Sequence, residues 1–118
     1  ENIDCDILII NKPISSKIIN FPINCVVLLN IDNIKKEDIK IYTSNIITYG
    51  ANSKSTITFS SVEESSKNKI QFCIQNSIKS FSGNIIYEQE FPVYYNFKNF
   101  SVVLATVTVG LLNDIKFD

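Results

Sequence analysis

The stretch Phe100-Ser101-Val102-Val103-Leu104-Ala105-Thr106-Val107-Thr108-Val109, FSVVLATVTV, runs ten residues without a charge, and its reading decides the fold. Read as a strand, it is the last of about seven, and the chain is all-β. A strand this apolar at an open edge invites self-association, so it belongs at a sheet centre or under another chain. Val102 and Leu104 then become candidate partner-binding residues.

Working outward, the apolar period is two almost everywhere. In NKIQFCIQN, Asn68 to Asn76, one face carries Ile70, Phe72 and Ile74, and the other Gln71, Cys73 and Gln75. Phe21, Ile23, Cys25, Val27, Leu29 and Ile31 share a face, with Val26 and Leu28 on the other, which predicts a central strand entered at Pro22. Ile3, Cys5, Ile7 and Ile9 alternate in the same way until Ile10 breaks the phase. Shorter strands are expected at Ile39–Ile41 and Thr56–Phe59, and a longer one around Ile85, Tyr87, Gln89 and Phe91. Ile115 and Phe117 offer an eighth. NIDNIKKEDIK supports one or two helical turns. Stretches such as TYGANSKS and KSFSGN carry turn chemistry.

Strand count and spacing therefore predict a single domain over 1–118, a two-sheet antiparallel β-sandwich of immunoglobulin-like type, with a small β-barrel as alternative. The buried Trp is absent, and Gln71 stands where a tyrosine corner needs Tyr, so a standard antibody-type domain is not expected. The chain opens at Glu1 and reads as a piece of a larger or processed protein.

Composition narrows the function. The net charge is −1, and all eleven basic residues are lysine. Without arginine there is no planar fork for phosphates or guanine edges, so nucleic acid is not expected as a partner. Heavy use of Ile, Asn and Lys reads as an AT-rich genome. No apolar run approaches the roughly 18 residues of a membrane span. With no His, nucleophilic catalysis lacks its usual base; the pairs Asp4/Asp6, Glu63/Glu64 and Glu88/Glu90 read as solvated charge. No catalytic residue, metal site or cofactor is expected.

Three cysteines leave at least one thiol unpaired. Cys5 and Cys25 are both in phase with apolar faces and form the possible disulfide, whereas Cys73 points with the glutamines and is the free thiol. Five of the thirteen aromatic residues lie between Phe91 and Phe100. Phe91, Val93 and Tyr95 are expected inward, and Tyr94, Phe97 and Lys98 at an exposed hairpin tip. Asn99-Phe100-Ser101 fits the N-glycosylation acceptor pattern and tilts the setting toward secreted or cell-surface. The functional expectation is a non-catalytic interaction or adhesion module that offers Tyr94, Phe97, Lys98, Val102 and Leu104, or an unpaired edge strand, to a protein partner. Alternatives are a self-assembling structural subunit, whose partner is its own copy, and a small-ligand or carbohydrate binder using Tyr94, Tyr95 and Phe97.

Overall fold

A computed structural model describes residues 5–13, 25–35, 45–64, 68–96 and 99–117. The strands are β1 (Ile7–Ile10), β2 (Val26–Asn30), β3 (Ile46–Tyr49), β4 (Ile57–Glu63), β5 (Asn68–Ile74), β6 (Ile78–Lys79), β7 (Ile85–Ile86) and β8 (Gln89–Tyr95), followed by helix α1 (Phe100–Leu112). Six strands form one sheet in the order β1-β2-β3-β4-β5-β8, and β6 and β7 pair separately. The chain is strand-rich, as its alternation predicts.

Two features depart from the antiparallel expectation. The first four strands run parallel, Ile7 opposite Val26 and Val27 opposite Ile46, and only β4, β5 and β8 form an antiparallel meander. The large sheet is open, with β1 and β8 at its two ends, so the described strands do not close into a barrel. And the segment 100–109 is helix, not strand. Asn99 caps it: its side-chain oxygen accepts from the Ser101 backbone N–H at 2.9 Å and hydroxyl at 2.7 Å. Its exposed positions, Val102, Thr106 and Asn113, follow a helical spacing, while Val103, Leu104, Val107 and Leu111 are buried. Thr108 satisfies its buried hydroxyl by donating to Leu104 O at 2.7 Å.

Helix α1 covers one face of the sheet, where Leu28, Tyr49, Ile57, Ile70, Phe72 and Phe91 meet Val103, Leu104 and Leu111 in one core. Phe72 and Phe91 stack with ring centres 5.0 Å apart, and Phe59 meets Phe100 edge-on at 4.8 Å. The opposite face differs along its length. Under the parallel strands it holds a second apolar cluster of Ile10, Val27, Leu29 and Ile34. Ile10, the residue that breaks the alternation, does so because β1 is apolar on both faces. Past β4 the same face becomes polar, with Gln71 and Cys73 half-buried and Glu90, Pro92 and Tyr94 exposed.

The long strand expected around 85–91 is interrupted, giving β7 and then β8. Ile115 and Phe117 form no strand; Phe117 stacks on Phe91 at 6.3 Å instead. β3 ends in Thr48 and Tyr49, the first residues of TYGANSKS, which reads as turn chemistry, and its core residue Tyr49 is 1% exposed. The expected strand at Ile39–Ile41 and its neighbouring helical turns lie outside the described residues, beyond a turn at 31–33.

The two sheet edges are unlike. Gln75 N–H donates to Thr56 O at 2.8 Å, so residues 73 and 75 face β4 and residues 70, 72 and 74 face β8. By alternation Phe91 and Val93 face β5, which leaves Pro92, without an N–H, on the free edge of β8. At the other end, Val26 N–H donates to Asp6 O at 2.9 Å, so Asp6, Leu8 and Ile10 face β2, and the peptide groups of Ile7 and Ile9 face outward.

Candidate functional site

The C-terminal ends of the three parallel strands carry a row of polar side chains. Register places Asn30 beside Tyr49, and one step beyond the Ile10–Leu29 pair brings Asn11 level with both. The Asn11 side-chain oxygen accepts from Asn30 Nδ2 at 2.6 Å and from the Tyr49 hydroxyl at 3.1 Å. Asn30 is buried, and its own oxygen accepts from Asp32 N–H at 3.0 Å. Asp32 in turn accepts from the N–H groups of Ala51 at 2.6 Å and Asn52 at 2.9 Å. That clasp fixes the loop after β3, and Gly50 there holds a positive φ of 147°. Burial pushes the Tyr49 hydroxyl above its ordinary pKa, so it stays a protonated donor at neutral pH.

Above this row, between edge strand β1 and the first turns of α1, runs a groove of about 370 Å³. Ile9, Val102, Ala105 and Val109 supply its apolar walls, and Asn11, Tyr49 and Ser101 its polar floor and rim. Among the described residues, no charged side chain lines it. Ile9 is 45% exposed and Val102 42%, two large apolar groups facing water on either side. Beside them lie the outward peptide groups of β1. Extended backbone whose outward groups meet no other described strand, flanked by an apolar cleft, can accept one more strand and seat one of its side chains.

The residues expected to meet a partner do not converge. Val102 borders the groove, whereas Leu104, two residues on, is fully enclosed in the core because a helix turns it some 200° away. Leu104 is thus corrected from contact residue to core residue. Tyr94 is 64% exposed on the polar face of β8, but Tyr95 turns to the helix side and is half-buried, so the two do not form one aromatic platform. Phe97 and Lys98 lie outside the described residues.

Cys73 sits on the polar face opposite Thr58 and Glu90. Burial, then its hydrogen bond and proximity to Glu90, push its thiol up to about 11, which makes it a poor nucleophile at neutral pH. Cys5 and Cys25 come together with sulfurs 3.6 Å apart, both thiols free. Among the described residues there is no cluster of three or more metal-ligating side chains, and no helix is long and apolar enough to cross a membrane. Asn11, Tyr49 and the groove escape sequence reasoning, because only parallel pairing brings Asn11 and Tyr49 level. Compared with protein families, curated proteins and solved structures, the chain matches none of them.

Proposed function

We propose that this chain is a non-catalytic protein-interaction module that takes an extended, uncharged segment of a partner protein as an added strand on β1. The supporting observation is that, among the described residues, the four-residue edge strand β1 has no outer neighbour and lies beside an apolar groove lined by no charged side chain. The backbone of Ile7 and Ile9 supplies the hydrogen bonds, and the cleft walled by Ile9, Val102 and Val109 takes an apolar side chain from alternate positions of the peptide. A charged side chain entering there would lose water without gaining an ion pair, so the preferred partner is apolar and neutral at that position. The reading needs a sheet and one covering helix; it does not depend on an immunoglobulin-like pair of sheets.

Selection from a displayed library of extended decapeptides, followed by amide chemical-shift mapping of an enriched synthetic peptide, tests this. Shifts are expected at residues 7–11 and 102–109, with Ile9→Arg reducing affinity at least tenfold. Binding that maps to Tyr94, or survives Ile9→Arg, refutes it. If β1 pairs instead with β1 of a second copy, sedimentation gives a dimer whose dissociation Ile9→Arg promotes, and the self-assembling reading replaces this one.

A further inference from the structure

The starts of β1 and β2 place two thiols in contact. Register sets Ile7 opposite Val26, so Cys5 and Cys25 stand at the entrances of adjacent parallel strands, and their sulfurs are 3.6 Å apart. Cys25 is wholly buried and Cys5 half-buried. Cys5 precedes the ladder, whereas Cys25 adjoins Val26, whose N–H holds Asp6 O. A disulfide holds its sulfurs about 2.05 Å apart, so the bond needs the two to close from their 3.6 Å contact.

We propose that Cys5 and Cys25 form a thiol–disulfide site, with Cys5 the thiol that meets an external small-molecule disulfide and Cys25 the thiol that resolves it. The Cys5 thiolate attacks one sulfur of the external disulfide, forming a mixed disulfide and releasing one thiolate, which takes up a proton. The Cys25 thiolate then attacks the Cys5 sulfur, closing the Cys5–Cys25 bond and releasing the second thiol. Two protein thiols are oxidised, one disulfide is reduced to two thiols, and the atoms balance. Burial, then the neighbouring Cys5, push the Cys25 thiol up to about 11, which disfavours its direct attack on a disulfide from solution and leaves that step to Cys5. Cys73, on the polar face and nowhere near this pair, takes no part. The bond would tether edge strand β1 to its neighbour immediately before the first outward peptide group, and the inference holds whether or not β1 receives a partner.

Oxidised glutathione is the probe. The intact chain, reduced and then exposed to it, should show alkylatable thiols in denaturant falling from three to one, with a cross-linked peptide joining Cys5 to Cys25. The oxidised protein should melt higher by on the order of 10 °C, because the bond closes a loop of about 20 residues in the unfolded chain. In Cys25→Ala, Cys5 should hold glutathione as a lasting adduct that the native chain only passes through. In Cys5→Ser, which leaves the buried position untouched, Cys25 should stay unmodified until the protein unfolds. Separate glutathione adducts without a cross-link, a Cys25 that reacts as fast as Cys5, or a cross-linked form melting at or below the reduced one would each overturn the proposal.

Discussion

The parallel and antiparallel halves of the sheet answer different demands. β1, β2 and β3 bury apolar side chains on both faces: Leu28 and Tyr49 toward α1, Ile10, Val27 and Leu29 away from it. β4, β5 and β8 bury large apolar side chains on one face only; the other carries the buried Thr58, the half-buried Gln71 and Cys73 and the exposed Glu90. Parallel strands depend on crossover connections that pass over the sheet, so their sequences become apolar throughout; antiparallel neighbours need none and can leave one side wet. The VVLLN of β2 and the alternating NKIQFCI of β5 are those two regimes written out. In this chain the same face changes character near β4.

If that contrast is sound, one face must respond differently at its two ends. Leu29→Ala, in the doubly buried half, should cost about 3 kcal/mol in urea unfolding, since it opens a void that neighbours fill only in part. Gly50→Ala should cost about 2 kcal/mol, because its φ of 147° suits only glycine and a Cβ would lie 2.6 Å from the Asp32 carboxylate that clasps the loop. Loss of the amide N–H protection of Ala51 and Asn52 would report the same event. Asn99→Ala, which uncaps the helix serving both halves, should cost about 1 kcal/mol, with Asn99→Asp restoring most of it. On the wet end of the face, Cys73→Ser should stay within about 0.5 kcal/mol. A loss as large as that of Leu29→Ala would mean this surface is covered and the contrast false.

The smallest effect is one of pH. Hydrogen bonds from Ser60 and then Cys73 hold the Glu90 carboxyl below its ordinary 4.5, so its contribution to stability is complete above that value and is lost as pH falls through the lowered one. Melting of Glu90→Gln between about pH 6 and pH 3 should therefore fall slightly less steeply than that of the native chain.

Much of the strand pattern was legible wherever one face is wet. The outward turn of Cys73 and the inward turn of Phe91 follow from alternation alone, as does the central position of β2. Helix α1 was not legible by period, because a segment apolar on every side satisfies spacings of two and of 3.6 together. Its Asn99 cap and the polar marks at Thr106 and Asn113 are the signals that separate them. Strand direction also escaped: parallel pairing depends on connections, and no local pattern in β1 or β3 announces it. The Asn11–Asn30–Tyr49 row was hidden for the same reason, its members being 19 residues apart along the chain at each step.

Pro92 limits the geometry of any larger assembly. A strand laid against the far side of β8 meets a residue that cannot donate, whereas among the described residues β1 carries no proline on its edge, so copies joining sheet to sheet would do so more readily through β1. Head-to-tail stacking, which needs both edges, is disfavoured, and what remains is a closed pair about a twofold axis. Copies that met through β1 would thus close on each other, leaving the Pro92 border of each at the outside of the pair.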